Sequence, residues 1–397
     1  MPVINRIADF TAEMTGWRRH LHAHPELQFD CHQTAAFVAQ KLRDFGVDEI
    51  HERIATSGIV AIINGQGAGR TIGLRADMDA LPLEEKSGVE HASKNDGCMH
   101  ACGHDGHTTM LLGAVEHLQA NNDFSGTVHF IFQPAEEGVG GGKAMVDDGL
   151  FERFSIREIY GLHNWPGLPV GKFGLISGPI MAGGDRVDIT IHGRGGHGGL
   201  NPHHCIDPIR IAAELINKAH TIVSRETDPL SPAVLSICAI HSGDLNGFTV
   251  IPNTARLSGT IRALDDEVRK IVRSSLKRLC ESLEHYYGTS LEIEIEDKFG
   301  VTFNEANATQ TARKVITQCF GEQALEPSYK PSMGGEDFSY MLAVCPGAYI
   351  HVGSGDNDHP HGLHNPEYDF NDAIIPHGVE LLSELARGSL GTQNVIK

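Results

Sequence analysis

The stretch TVHFIFQPAEE, residues 127–137, decides the fold. It opens with a short apolar run that reads as a strand buried on both faces, and it ends in two adjacent carboxylates. Three other stretches share the texture: SGIVAIIN (57–64), TIGLRADMD (71–79) and EIYGLHN (158–164). Helical stretches precede them at residues 1–24 and 32–46 and lie between some of them, notably at 106–121. In the second of these, Ala36, Phe37, Ala39, Leu42 and Phe45 recur at helical spacing and Gly46 ends the run. Strands interleaved with helices predict an α/β fold, a mostly parallel sheet with helices on both faces.

From about Asp185 the pattern changes. Val187, Ile189 and Ile191 alternate with Asp188, Thr190 and His192, and the same alternation runs through Leu257–Arg262 and Leu291–Glu296. Strict alternation predicts strands with one solvated face, typical of antiparallel sheets. Two long amphipathic helices, at about 208–225 and 265–287, lie among them; the second carries Val268, Ile271, Val272, Leu276, Leu279 and Leu283 on one stripe. After about Lys298 the α/β texture returns, with helices near 307–319 and 373–386 and a strand at 348–352. The expected organisation is a catalytic domain of residues 1–184 and 298–397. Into it is inserted an α+β domain, residues 185–297, with a four-stranded antiparallel sheet and two helices.

A chain of 397 residues is long for one core, which also favours two domains. A net charge of −19 repels phosphate backbones and anionic lipid, so neither nucleic acid nor a membrane is expected as a partner. No apolar run approaches the roughly 18 residues that a membrane span needs. The start, MPVINRIADFTAEMTGW, lacks a basic segment followed by an apolar one, and the eight cysteines are scattered. A cytoplasmic setting is the expectation. The 24 histidines are the unusual number, because histidine is the commonest metal ligand and acid–base side chain.

Four stretches carry chemistry. HACGHDGH (100–107) sets Cys102 and His104 two residues apart beside glycines that let the backbone bend, and thiolate and imidazole suit zinc and its neighbours. A polar loop around a buried free cysteine would look the same. QPAEEG (133–138) puts Glu136 and Glu137 at a strand's C-terminal end, where α/β active sites form, although a solvated acidic turn is the plainer reading. If one carboxylate binds metal, its neighbour can take a proton from the activated water. LHNW (162–165) again reads as a strand end, and HPHGLHNPEYD (359–369) as a loop. Together they supply Cys102, His104, Glu137, His163 and one of His361 or His364, which suits two metals sharing a bridge better than one catalytic zinc. Asp77 and Asp79 can orient ligands from behind, and GGEDF (334–338), with Gly335, can line a substrate pocket or simply start a helix.

In order, RRHLHAHPEL, RADMDALP, MHACGHDGHTTMLLGA, FQPAEEG, GLHNWPG, GRGGHGG with DPI, GGEDFS and LHNPEYDFND resemble the hippurate hydrolase, N-acyl-amino-acid amidohydrolase and indole-acetyl-amino-acid hydrolase family, related to the aminoacylase-type metallopeptidases. The resemblance covers nearly the whole chain. It implies two divalent ions, zinc or manganese, held by Cys102, His104, Glu137, His163 and His364. It makes Glu136 the general base and Asp79 a ligand-orienting acid. Asp77 stands where some relatives carry a metal histidine. The inserted domain is implied to be a lid and dimerisation domain, giving a homodimer, with His197 offered across the dimer to the substrate carbonyl and Arg262 binding a substrate carboxylate. After HPEL the chain departs from its relatives, which usually carry a glutamate near Asp30–Cys31.

The implied reaction is hydrolysis of a small N-acyl amino acid by metal-activated water, with the oxyanion stabilised by the metals and His197. Two rivals stand beside it: a metal-independent cysteine hydrolase with Cys102 as nucleophile and His104 or His107 as base, and a catalytically dead metal- or ligand-binding relative.

Overall fold

A computed structural model describes residues 5–390. The first four residues of the expected N-terminal helix lie outside the described residues. The chain forms two compact units, one of residues 181–301 with 331–336, the other of the remainder.

The larger unit is built on a seven-stranded sheet. Its order is Glu49–Ile54, Gly58–Asn64, Ser125–Gln133, Gly67–Asp77, Glu158–Pro169, Gly347–Gly355 and Phe173–Gly174. The four strands from Ser125–Gln133 to Gly347–Gly355 run parallel to one another. The fold is therefore the expected α/β class with a mostly parallel sheet. Gly58–Asn64 runs against both neighbours, which the apolar pattern could not show. Burial on both faces gives a parallel and an antiparallel strand the same signature. What reverses the chain is the short connection before it, where Arg53, Ala55 and Thr56 all take positive φ and so fold back directly without a crossover.

The Glu158–Pro169 strand extends past LHNW, so His163 and Asn164 lie within it rather than at its end. This corrects the expectation for that motif. The strands Gly67–Asp77 and Ser125–Gln133 do end where the candidate residues begin, leaving Asp79, Glu136 and Glu137 on the loops that follow.

The helix His104–Ala120 is buried along almost its whole length, not on one stripe. A helix without a polar face belongs in a core. It packs between the Asn5–Ala23 helix and the Ile375–Leu390 helix, and small residues make the approach close: a side chain at Gly113 would meet Met14 and Val379 at 2.6 Å. The helix His32–Asp44 has no cap from Cys31; Glu26 of HPEL reaches over instead and accepts the N–H groups of Gln33 (3.1 Å) and Thr34 (2.8 Å).

The smaller unit carries an antiparallel sheet in the order Ala233–Ser242, Thr254–Ala263, Gly183–His192, Leu291–Phe299. The helices Pro208–Glu226 and Asp266–Tyr287 cover one face, capped by Asp207 and Asp265, and Val187, Ile189, Ile191, Leu215, Val272 and Leu276 fill the space between. Ala233–Ser242 is an edge strand. Among the described residues no helix is long and apolar enough to cross a membrane.

Gly106 tests the packing of the buried helix. Replacing a helical glycine with alanine ordinarily stabilises by up to about 1 kcal/mol. Here the new methyl would sit 2.1 Å from the Phe370 ring. Overpacking of that kind costs about 1–3 kcal/mol, so it should win. Gly106→Ala is expected to lower the urea midpoint; an unchanged or raised midpoint would show that the Phe370 contact yields freely.

Candidate metal and active site

The site is assembled at the C-terminal edge of the parallel strands. The Ser125–Gln133 strand ends, Ala135 takes a left-handed φ of +59°, and Gly138 another of +81°. These two bends fold QPAEEG back on itself, with Gly141 N–H donating to Ala135 O (2.8 Å). Asp79 lies opposite, two residues beyond the Gly67–Asp77 strand. Its Oδ1 accepts the Glu136 N–H (2.9 Å) and its Oδ2 the Glu137 N–H (3.0 Å). One carboxylate thus fixes the backbone under both glutamates. The Asp337 N–H lies 3.4 Å from Glu136 Oε1.

HACGHDGH enters from the other side. Gly103 takes φ +89°, and a side chain there would lie 2.5 Å from Asn164 Oδ1. The turn puts Cys102 just before the buried helix and makes His104 its first residue. Cys102 Sγ is 3.4 Å from His163 Nε2. His163 Nδ1 donates to its neighbour's carbonyl, Asn164 O (2.7 Å), so the proton sits on Nδ1 and Nε2 keeps its lone pair. His104 points one nitrogen towards Asp79 (3.5 Å) and the other towards Glu137 (4.0 Å). His364 Nε2 is 3.4 Å from Glu137 Oε1. His361 is instead 3.2 Å from Glu367, a geometry that favours His364.

Donor atoms of Cys102, His104 and His163 lie within 4.8 Å of one another, as do those of Cys102, Glu137 and His364, and those of His104, Glu136 and Glu137. Overlapping sets that share Cys102, His104 and Glu137 are what two neighbouring cations need. The donor chemistry fits. Both ring nitrogens of His104 and Glu137 Oε1 are buried without a hydrogen-bond partner among the described residues. Sulfur, imidazole and carboxylate together suit zinc and related divalent ions.

Burial, reinforced by the Glu137 charge, pushes the Cys102 thiol up to about 12. A thiol so reluctant to ionise is a poor free nucleophile, which counts against the cysteine-hydrolase rival. Burial also pushes Glu137 up, but His364 and His104 outweigh it and hold the carboxyl below its usual range.

Asp77 plays a different part. Its carboxylate accepts from Arg75 Nη1 (2.7 Å) and from His107 Nδ1 (2.6 Å), all of them buried. His107 is thereby held between Asp77 and Asn164, whose side chain also donates to the Tyr368 hydroxyl (2.6 Å). Arg75 continues to Gln133 Oε1 (2.8 Å) and Asp337 Oδ1 (3.1 Å). Arg75, Asn164, Tyr368 and Asp337 support the site; apart from the Arg75–Asp77 pair, their partners are too distant in sequence for any local pattern to reveal them.

His197, Arg262 and Gly335 belong to the smaller unit. His197 is exposed, and its Nδ1 accepts the N–H groups of Gly199 and Leu200, both at 3.1 Å. Its proton therefore sits on Nε2, leaving a donor. The Arg262 guanidinium stacks 4.6 Å over the Phe299 ring, and its Nη1 is buried with no hydrogen-bond partner among the described residues. Gly335 lies against both: a side chain there would be 1.7 Å from Phe299 Cε2 and 2.6 Å from Arg262 Nη1.

Residues 73–388 match peptidase family M20/M25/M40. The chain is 40% identical to hippurate hydrolase of Campylobacter jejuni, covering 97% of this chain and 99% of that one. It is 42% identical to an N-acyl-L-amino acid amidohydrolase of Geobacillus stearothermophilus, over 74% of this chain and 78% of the other. The YXEP protein of Bacillus subtilis, a dinuclear metal-binding peptidase, superposes with a TM-score of 0.82 at 31% identity, covering 97% of this chain and all of that one (100%).

Asp79 offers the cleanest test of this assembly. Asp79→Asn keeps the shape but turns one acceptor into a donor facing a backbone N–H. The ligand turn should loosen, and metal affinity should fall by about 10–100-fold with the fold intact. Competition against a graded chelator measures this; an unchanged affinity would show that Asp79 does not hold the ligands.

Proposed function

The chain belongs to peptidase family M20/M25/M40 and is a hydrolase; on that premise we propose that it cleaves the amide bond of a small N-acyl amino acid, using two divalent ions. The observation that carries this reading is the overlap of the three donor sets around Cys102, His104 and Glu137, with Glu136 beside them. Cys102, His104, Glu137, His163 and His364 would hold the ions, zinc or manganese. The bound ions would supply Lewis acidity and lower the pKa of a water to about 7.

The chain's own residues do the rest. Glu136 is the general base: it takes the proton of the attacking water and passes it to the leaving amine. Asp79 keeps Glu136 and Glu137 side by side through their N–H groups. His197, with its proton on Nε2, donates to the developing oxyanion. Arg262, with a buried and unpartnered Nη1, takes the substrate carboxylate, and Gly335 leaves the space beside it. Exposed Leu245, Phe248 and Ile240, on and after the Ala233–Ser242 edge strand, support a homodimer through the smaller unit. All eight cysteines are free, which suits a cytoplasmic setting.

Glu136→Gln keeps its shape and cannot take a proton. Turnover of N-acetyl, N-benzoyl and indole-acetyl amino acids should fall by at least about 100-fold with metal content unchanged. Near-native turnover would remove Glu136 from the role of base.

His197 is tested by subunit exchange. His197→Ala should bind both metals and turn over poorly. Mixed with Glu136→Gln, it should regain activity, up to about a quarter of wild type for random exchange, because one site of each mixed dimer is then free of both changes. Confirmed exchange without recovery would exclude action across the dimer.

A further inference from the structure

One buried imidazole beside the metal ligands has no part in the reaction described. His351 lies in the Gly347–Gly355 strand, directly opposite His163 on the parallel neighbour. Partners in register on adjacent strands project from the same face, so His351 stands one strand away from a proposed ligand, with ring centroids 6.4 Å apart. It is completely buried.

Its orientation is fixed from three sides. Trp165 stacks flat on the ring, 4.0 Å between centroids and 2° between planes. Tyr349 meets it edge-on. The Tyr329 hydroxyl bonds Nδ1. Gly174, opposite His351 on the next strand, makes room for this: a side chain there would lie 2.4 Å from the Tyr329 ring.

The tautomer follows. Among the described residues the Tyr329 hydroxyl has no other acceptor, so it donates and Nδ1 accepts. With Nδ1 accepting, the ring's one proton is on Nε2. That Nε2 is buried without a partner. A buried donor left unsatisfied is costly, and a ring clamped this firmly cannot turn to find an acceptor. Trp165, the ring stacked on it, is only half-buried.

We propose that His351 is a specificity-determining residue: its Nε2–H donates to an acceptor atom in the acyl half of the substrate, while Trp165 provides a flat wall for that group. This rests on the amidohydrolase reading, in which Arg262 takes the carboxylate and the metal ligands take the scissile carbonyl. The acyl group is then the half of the substrate left without a partner. The preferred acyl groups are planar rings that carry a nitrogen or oxygen acceptor.

The test uses metal-loaded enzyme and four glycine conjugates of nearly equal shape: benzoylglycine and the three isomeric pyridinecarbonylglycines. Wild type should hydrolyse at least one pyridine isomer about tenfold more efficiently than benzoylglycine. His351→Phe keeps the stack and removes the donor. It should abolish that preference, chiefly by raising KM for the favoured isomer. Tyr329→Phe, which releases Nδ1, should weaken the same preference; metal content and melting temperature check that both variants are folded. A wild type without preference, or a His351→Phe enzyme that loses all four substrates equally, overturns the proposal and leaves the amidohydrolase reading standing. A metal-loaded wild type that turns over no acyl amino acid overturns both.

Discussion

The buried guanidinium of Arg75 is the constraint on which the site depends. It is fully enclosed, and a charge there is tolerable only if paired and hydrogen-bonded on every side. Its partners are Asp77 at the end of its own strand, Gln133 at the end of the next, and Asp337 from far along the chain. Asp337 in turn accepts from Gln133 Nε2 (2.7 Å) and from Gly142 N–H (2.7 Å). The loops that follow these strands carry Asp79 and the Glu136–Glu137 pair. One cation therefore draws together the backbone segments that deliver the candidate catalytic carboxylates, and removing any partner would leave a donor or a charge unmatched where water cannot reach it. The same arrangement keeps Asp77 occupied. Burial pushes its carboxyl up, yet His104, Arg75 and His107 together hold it well below the ordinary range.

Periodicity made the fold class legible. Runs such as GIVAIIN are buried at nearly every position, and the strands of the smaller unit alternate as their sequences do. Strand direction was not legible, because burial on two faces looks the same whichever way a strand runs. The Gly58–Asn64 strand is reversed by the backbone of Arg53, Ala55 and Thr56, none of them a residue that announces a left-handed turn. The reach of the Glu158–Pro169 strand was equally hidden, since WPGLP carries two prolines and a glycine and reads as its end.

At the site, residues that lie close in sequence could be found and residues that meet only in space could not. Cys102 and His104 declare themselves by spacing, and Glu136 with Glu137 by adjacency. His163 is a lone histidine whose part rests on its fixed tautomer and on the nearness of Cys102. Asp337 was visible within GGEDF as polar, but not as the partner of Arg75, 262 positions away. His351 sits in an ordinary strand sequence. Nothing local distinguishes it, and only the stacking of Trp165 and the hydroxyl of Tyr329 mark it as more than core.

The burial of the His104–Ala120 helix sets a hierarchy of opening motions. A helix enclosed on nearly all sides exchanges its amide hydrogens only when the whole unit opens, so His104 at its head is moored to the most durable cooperative block. His364 is at the other extreme: more than half of its side chain is exposed and its backbone is held in a left-handed bend. Local fluctuation therefore reaches the donor set more readily through the loop of His364 than through Cys102 and His104. Ions would be released past the loop of His364 while the Cys102–His104 side stays formed, and reloading would begin on a half-site that never came apart.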